Sequence, residues 1–469
     1  MSANIKKTNL LKKLFKFFLA FCLGCIVLML YLSYQRSQRV AQLLQEYKQS
    51  GYATSLKEIN EKYVLPPVND NGAIVIESAI AKLKEPEQTL GDKSTAKKNY
   101  LTYEQTNFLL KPIALGESLS KEVKIAIGKH LVQNEEALKL LRQGLAMKQF
   151  RYCPDYTEGV NAKITPFLGM RKMINLLKLK TLFHLENGES EDAVQSVLEG
   201  FALAQSFSND PMLIMNTIQM ALIQFNIESL EYVLNRMDIS EKNILDLSSL
   251  LQTLEEPESL ARCYVTDFCM GLEAFNDGSV HEGKLISHFS VMIEEDKIFY
   301  LEKMKIVIDT SYSPLQERMK KIQFLKDLEK EMSKSSELLQ DLGEKNFNSS
   351  NFFHSGTQSL VMGFYYYASF GLRRIMILRN AQIALAVERY RLANQKLPEQ
   401  LSELVPAYLK EELLLDLFDN KLVHYKKLSK GYLIYSVGED AKDNGGKKKE
   451  NENHSNLVEE YDLVFTVNR

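Results

Sequence analysis

An uncharged run near the N-terminus constrains this chain more than any other feature. Residues 17–34 read FFLAFCLGCIVLMLYLSY, which is 18 residues without a charged side chain. At about 1.5 Å per residue, a helix of this length measures roughly 27 Å and just crosses the hydrocarbon core of a bilayer. The run therefore predicts a transmembrane helix.

The residues at the end of the run distinguish an uncleaved membrane anchor from a cleaved secretory signal. A signal has an apolar region of about 7 to 15 residues followed by a small-residue cleavage site. Here the run ends in Tyr31-Leu32-Ser33-Tyr34, and Arg36 follows with no A-x-A-like site. Tyrosines suit the membrane interface. Gly24-Cys25 offers the dipeptide of a lipoprotein signal, but Cys22 stands where an aliphatic residue is expected, so we expect an uncleaved anchor.

Charge predicts the orientation of this anchor. Residues 1–35 contain five lysines and no acidic residue, whereas the rest of the chain has 53 basic and 60 acidic residues, for a net charge of -2 overall. By the positive-inside rule, residues 1–16 form a cytoplasmic stub, residues 17–34 span the membrane and the remainder lies outside. The balanced total gives no basic face, so no nucleic-acid partner is predicted.

The cysteines agree weakly with this placement. Outside the apolar run the chain has Cys153, Cys263 and Cys269, with no C-x-x-C motif. On one helix Cys263 and Cys269 would lie about 240° apart, so they would not face each other. We interpret the three as core thiols, with a disulfide from Cys153 as the alternative.

Helix start and stop signals fill residues 36–359, which we interpret as an extracytoplasmic helical body. Ser120 is a candidate N-cap, Asn187-Gly188 suits a left-handed helix end, and Thr165-Pro166 and Ser240-Glu241 mark helix starts. Asp210 is expected to cap the helix that Pro211 opens. Short connections predict antiparallel hairpins. We expect polar loops at 85–100 and 343–359, and exposed helices in the highly charged segment 301–342.

One helix pair in this body resembles a tetratricopeptide unit. Residues 176–206 combine a leucine-bearing helix, a glycine-containing turn and a helix with Ala193, Val197, Gly200 and Ala204. Because three repeats of fixed period are needed to define a solenoid and one is visible, an irregular all-α body is the alternative.

The C-terminal segment, residues 360–469, changes pattern. A helix runs from about Leu360 to Asn394, and strand-like segments follow at 422–427, 432–437 and 461–467. A long helix followed by a small antiparallel sheet is an α+β unit. The predicted fold class is therefore mainly α, with an N-terminal transmembrane helix, a helical body of antiparallel hairpins and a C-terminal α+β module.

This module resembles the globular domain of the major pseudopilin of type II secretion systems. The likeness rests on AVERYRLANQKLP at 386–398, LVPAYL at 404–409, YLIYSVG at 432–438 and the loop EDAKDNGG at 439–446. The apolar run lacks the glutamate and the Gly-Phe junction of a pseudopilin, so we expect a borrowed sheet domain rather than a pilus subunit. The whole chain also resembles uncharacterised bacterial envelope proteins, through FRYCPDY at 150–156 and FALAQS at 201–206.

The pseudopilin resemblance implies a calcium site in the loop before the last strand. The carboxylates that would follow it are Asp440, Asp443 and Asp462, and hard cations favour such oxygen ligands. Ala441 replaces a glycine usual in that loop, and Lys447–Lys449 adds three positive charges. The alternative is a solvated acidic turn with a lysine-rich insertion, and no other cofactor is predicted.

No catalytic motif stands out. The seven histidines are scattered, and the sequence has no H-E-x-x-H, G-x-S-x-G, Walker or dinucleotide motif. The leading hypothesis is a non-enzymatic, single-pass protein of the bacterial cytoplasmic membrane that acts as an extracytoplasmic scaffold and binds other envelope proteins. The alternative is an accessory component of a secretion or pilus-like machine, and the third hypothesis is an envelope enzyme with an unrecognised site.

Overall fold

The computed structural model describes residues 2–85, 118–163, 167–281, 290–342, 357, 360–361, 363–448 and 461–469. The chain is mainly α-helical and has a small antiparallel sheet near its C-terminus, which confirms the predicted fold class. The predicted loops at 85–100 and 343–359 and the predicted helix start at Thr165-Pro166 fall almost wholly outside the described residues.

The described helices are numbered in chain order. They are α1 (Ser2–Gln49), α2 (Leu56–Lys62), α3 (Gly72–Ala81), α4 (Lys121–Gln133), α5 (Glu135–Leu145), α6 (Phe167–Asn187), α7 (Ser190–Gln205), α8 (Leu213–Arg236), α9 (Glu241–Leu254), α10 (Ser259–Asn276), α11 (Ser290–Tyr312), α12 (Leu315–Leu342) and α13 (Phe364–Asn394). Three strands follow: β1 (His424–Leu428), β2 (Gly431–Ser436) and β3 (Leu463–Val467).

The chain forms two compact units. The first combines Met1–Glu58, Asp267–Asp309 and Phe324–Tyr365, and the second combines Ile59–Thr266, Thr310–Gln323 and Tyr366–Arg469. The sheet and most of α13 therefore share a unit with α3 to α9. The contacts do not delimit residues 360–469 as a unit of their own, and the predicted domain boundaries stay a prediction.

Aromatic packing holds the first unit together. Val40, Leu43 and Tyr47 recur at helical spacing in α1 and are buried. The Tyr47 ring stacks on Phe268 with centroids 4.2 Å apart, and its hydroxyl donates to the Leu301 carbonyl oxygen at 2.6 Å. The C-terminal part of α1 is thus a core helix.

Residues 301–342 form helices whose charged side chains, such as Glu302 and Asp309, are exposed as expected, but each helix also buries apolar side chains. Leu301, Met304 and Ile308 in α11 are fully buried, and Leu325 in α12 is 2% exposed. Their spacing of three and four residues gives α11 one apolar face despite its many charged residues.

Hairpins of α6, α7 and α8 form the centre of the second unit. Gly188 adopts a left-handed φ of 77° and ends α6, as predicted. The side chains of Ser120 and Ser240 accept backbone N–H groups at the starts of α4 and α9, which confirms the predicted N-cap at Ser120 and the predicted helix start at Ser240. Asp210 does not cap α8, because that helix begins at Leu213 and the Asp210 side chain is buried elsewhere.

The sheet lies in the order β1-β2-β3, with both pairs antiparallel. The three strands agree with the predicted ones to within two residues at each end. The Tyr432 hydroxyl on β2 donates to the Ala384 carbonyl oxygen of α13 at 3.1 Å, and Asn380 of α13 donates to the Leu463 carbonyl oxygen of β3 at 2.7 Å. The sheet is therefore hydrogen-bonded to helix α13 through strands β2 and β3.

Candidate functional sites

The apolar part of α1 is the first candidate site. From Leu14 the helix contains a window with a mean hydropathy of 2.3, and none of that window is buried inside the protein. Phe17, Phe21 and Leu30 are among its most exposed side chains. A contiguous apolar surface of this size marks an interaction site. The helix is long and apolar enough to cross a membrane, as predicted, while its orientation stays a prediction.

The same helix continues into the first unit without a break. Just after the apolar part, Arg36 Nε lies 2.5 Å from Glu295 Oε2, and Arg39 Nη2 lies 3.1 Å from Glu302 Oε1. Both glutamates belong to α11. Sequence reasoning treated the two arginines only as flanking charges, because their partners are more than 250 residues away in the chain.

The three aspartates of the predicted calcium site lie in and beside the β2–β3 loop, where they accept hydrogen bonds. Asp440 accepts the backbone N–H two residues further on at 3.1 Å, Asp443 accepts the Gly445 N–H at 2.8 Å, and Asp462 accepts the Gly446 N–H at 2.6 Å. The Gly445 N–H lowers the pKa of Asp443. These bonds order the loop, and calcium binding stays a prediction.

Two residues that set this loop apart from the pseudopilin pattern have structural roles. Ala441 adopts a left-handed φ of 52°, the conformation that a glycine takes without strain. Lys448, from the lysine-rich insertion, reaches Glu231 on α8 with Nζ 2.9 Å from Oε2. This part of the insertion is therefore paired with a buried acid rather than wholly solvated.

Sequence reasoning missed another group of ligand-type side chains at the α6–α7 turn. His184 Nδ1 lies 2.6 Å from Glu189 Oε2, and these atoms lie within 4.8 Å of an Asp192 carboxylate oxygen. The hydrogen bond from His184 lowers the pKa of Glu189. The sequence feature that could have indicated this group is His184 placed five residues before Glu189, with the turn at Gly188 between them. The two acids are exposed, and the group is explained as a hydrogen-bonded pair beside acids at the start of α7, where the helix dipole favours negative charge.

A buried cluster surrounds the FRYCPDY segment. The Arg151 guanidinium donates to the carbonyl oxygens of Cys153 at 2.7 Å and Pro154 at 3.2 Å, and it lies 4.2 Å from the Tyr156 ring centroid. Its backbone exchanges two hydrogen bonds with the Asn71 side chain. Arg151 therefore fixes this segment against the start of α3.

Asp210 faces the same segment. Its Oδ2 accepts the Cys153 N–H at 3.4 Å, while its Oδ1 and the Tyr156 hydroxyl have no hydrogen-bond partner among the described residues. Burial raises the pKa of Asp210 to about 6 and that of the Cys153 thiol to about 11. A thiol with this pKa is protonated at neutral pH and is a weak nucleophile.

The other two body cysteines agree with the prediction of core thiols. Cys263, Cys269 and Cys153 are buried, and none of them is in a disulfide within the described chain. Burial raises the pKa of Cys269 well above its ordinary value. These thiols fill core volume, and the alternative of a disulfide from Cys153 is absent from the described chain.

Comparisons of this chain with known protein families, with curated proteins and with solved structures find no match. The resemblance to the pseudopilin domain and to envelope proteins therefore stays a prediction from the sequence.

Proposed function

We propose that this chain is a single-pass membrane protein whose folded body lies outside the cytoplasm and acts as a scaffold for other envelope proteins. The observation that carries the proposal is the continuity of α1 (Ser2–Gln49), which combines an exposed apolar part with a packed part in one helix.

The continuity of α1 has a mechanical consequence. The packed part from Arg36 to Gln49 is about 21 Å long at 1.5 Å per residue, and it contains no loop or glycine-rich linker. The ion pair of Arg36 with Glu295 and the hydrogen bond of Tyr47 to Leu301 fix this part to the first unit. A chain anchored in this way presents the first unit at the membrane surface instead of on a flexible tether, which suits a scaffold.

Membrane fractionation tests the anchor. The full chain should remain with the membrane after extraction with alkaline carbonate, and the double substitution Ile26→Arg with Met29→Arg should release it, because a charged side chain at the centre of a span costs about 3 kcal/mol. The matched control, Ile26→Ala with Met29→Ala, should stay in the membrane. Release of the unaltered chain by carbonate would reject the anchor.

Cysteine labelling tests the orientation. In a chain with Cys22 and Cys25 replaced by serine, a single cysteine is introduced either as Lys6→Cys or as Lys410→Cys. Lys410 has a largely exposed side chain, and the native body thiols are buried. A membrane-impermeant maleimide added to intact cells should label position 410 and spare position 6. The reverse pattern would overturn the predicted topology.

Site-specific crosslinking tests the scaffold. A photo-crosslinking residue placed at exposed positions of the body should capture defined envelope proteins in intact cells, and these products should persist when α1 is exchanged for an unrelated membrane span. Failure to capture any partner at any exposed position would count against the scaffold, whereas products that vanish with the exchange would assign binding to the span.

A second candidate is an accessory role in a secretion or pilus-like machine, favoured by α13 and the three-stranded antiparallel sheet that follows it. Deleting residues 375–469 would strip β3 from α8 and would confound any result with unfolding. Disruption of the whole gene, with the full chain restored as control, is therefore the sharper test. Normal secretion in the disrupted strain would reject this role.

A further inference from the structure

The two outer edges of the sheet differ in how their backbone groups are satisfied. On β3 the Thr466 N–H and carbonyl oxygen point away from β2 and are bonded to α8, at 3.0 Å to Glu231 Oε1 and at 2.8 Å to Asn235 Nδ2. The N–H of Asn468, two residues further along the chain, donates to Asn235 Oδ1 at 2.6 Å. Side chains of the helical body therefore close this edge.

Strand β1 (His424–Leu428) forms the opposite edge of the sheet. Successive residues of an antiparallel strand point their backbone groups alternately toward and away from the neighbouring strand. The N–H of Val423, just before β1, points away from β2 and donates to the Leu414 carbonyl oxygen at 2.8 Å. By the same alternation, Tyr425 and Lys427 point their N–H and carbonyl groups away from β2.

The outward backbone groups of Tyr425 and Lys427 are unpaired. Within the ranges that the structure describes, neither the N–H nor the carbonyl oxygen of either residue has a hydrogen-bond partner. The last three side chains of the strand, those of Lys426, Lys427 and Leu428, are exposed. Unpaired edge groups of this kind are a template for another strand. The sheet can therefore be extended at β1, whereas α8 blocks extension at β3.

The surface beside this open edge is basic. Residues 421–430 contain four lysines and no acidic residue. Lys427 forms an exposed pair with Glu399 at 2.7 Å, whereas Lys430, in the turn to β2, is exposed and forms no ion pair in the part of the chain that the structure describes. Because exposed pairs add little stability, both lysines are available to another carboxylate.

The lysines distinguish between two kinds of partner strand. A second copy of this chain would pair β1 with β1 and bring Lys427 and Lys430 of both copies together, where like charges oppose the pairing. Lysines on an edge strand commonly prevent self-association in this way. An extended segment that carries carboxylates meets the same lysines as ion-pair partners. The edge therefore disfavours a second copy and favours an acidic strand.

We propose that β1 binds an extended, acidic segment of a partner protein, which joins the sheet as a fourth strand through the backbone groups of Tyr425 and Lys427. Main-chain hydrogen bonds give the affinity in this mode of recognition, and alternate side chains give the specificity. Carboxylates of the partner lie beside Lys427 and Lys430. The proposal deepens the scaffold function and rests on it for the source of the partner. Strand addition itself is measured in solution, so its failure is distinguishable from failure of the membrane anchor.

Calorimetric titration of the full chain in detergent micelles tests the edge. The probe is an acetylated and amidated hexapeptide of alternating valine and glutamate, and we expect it to bind saturably. Amide hydrogen exchange at Tyr425 and Lys427 should slow by about tenfold or more at saturation, because both N–H groups become hydrogen-bonded. Two control peptides should not bind: one with every backbone amide N-methylated, and one with lysine in place of glutamate.

Charge reversal at the edge tests the specificity. Lys427→Glu with Lys430→Glu should weaken binding of the acidic peptide by about tenfold or more, because two attractions become repulsions, and should allow the lysine peptide to bind. The matched control, Lys121→Glu with Lys139→Glu, makes the same change of charge at exposed positions of α4 and α5 and should leave binding unchanged. If the first double variant fails to fold by circular dichroism, Lys430→Glu alone should weaken binding by about threefold.

Four outcomes would overturn the proposal. The first is no saturable binding of the acidic peptide, which would leave the lysines as protection of the edge alone. The second is equal binding of either control peptide, and the third is unchanged exchange at Tyr425 and Lys427 at saturation. The fourth is slow exchange at these two residues in a concentration-dependent dimer without peptide, which would assign the edge to a second copy.

Discussion

The buried carboxylate of Glu231 accepts the backbone N–H of Thr466 at 3.0 Å, joining helix α8 to the edge strand β3 across 235 positions of the chain. The other oxygen of Glu231 receives the Lys448 ammonium at 2.9 Å. Burial raises the pKa of Glu231, and the ammonium opposes that rise. Glu231 thus accepts one backbone N–H of strand β3, while Asn235 of the same helix donates to the Thr466 carbonyl oxygen at 2.8 Å.

Replacement of Glu231 should therefore weaken the contact between helix and strand. Glu231→Ala leaves the Thr466 N–H without its acceptor and should lower the free energy of unfolding by about 2 to 3 kcal/mol. Glu231→Gln keeps an acceptor and should cost about 1 kcal/mol. Urea unfolding of the full chain measures both values.

The exposed pair between Glu399 and Lys427, at 2.7 Å, is the matched control for Glu231. Because exposed ion pairs contribute about 0 to 1 kcal/mol, Glu399→Ala should change stability little. An equal loss of unfolding free energy in Glu231→Ala and Glu399→Ala would show that the buried contacts of Glu231 stabilise the protein no more than an exposed ion pair.

The raised pKa of Asp210 predicts that the free energy of unfolding falls as the pH rises. Its pKa is about 6 in the folded chain, against 3.8 for an ordinary aspartate. Between these values the folded state holds a proton that the unfolded state has released, so ionisation penalises folding progressively as the pH rises from 4 to 6. At 1.36 kcal/mol per unit, the full penalty at pH 7 is about 3 kcal/mol.

Asp210→Asn should remove this penalty. The stability of the variant minus that of the unaltered chain should rise between pH 4 and pH 6 and then level off, as followed by urea unfolding at several pH values. Asp155→Asn is the control: hydrogen bonds with Thr157 lower the pKa of exposed Asp155, so its difference curve should fall only below about pH 4 and stay flat between pH 4 and pH 6. A flat difference curve for Asp210→Asn would contradict the raised pKa.

Local signals explain what could be predicted from the sequence. The N-cap serines Ser120 and Ser240, the left-handed Gly188 and the strands around Gly431 depend on residues within a few positions of one another. Short-range hydrogen bonding and steric restrictions determine such features wherever the rest of the chain lies. These predictions agree with the structure.

Long-range burial explains what could not be predicted. Asp210 has the residue type of a helix cap, but the Cys153 N–H, 57 positions earlier, is the group it accepts. The charged residues of α11 concealed the apolar face of Leu301, Met304 and Ile308.

Ala441 should be a site of backbone strain that a single substitution relieves. An alanine with a φ of 52° has its Cβ close to the following carbonyl oxygen, which glycine avoids. Ala441→Gly should raise the free energy of unfolding by about 0.5 to 1 kcal/mol. Asn420→Gly, at a φ of 58°, is the control and should gain less, because asparagine tolerates this conformation. A loss of stability in Ala441→Gly would contradict this explanation.

Gly200 allows the close approach of α7 and α8, and its contact can be measured as a coupling energy. A Cβ on Gly200 would overlap Asn226 Oδ1 and lie 2.7 Å from its Cγ, while Asn226 donates to the Val197 carbonyl oxygen at 2.7 Å. Gly200→Ala should therefore cost about 1 to 3 kcal/mol. Asn226→Ala removes the obstacle, so the double variant should cost little more than Asn226→Ala alone, whereas additive losses would show that the two residues do not compete for the same space.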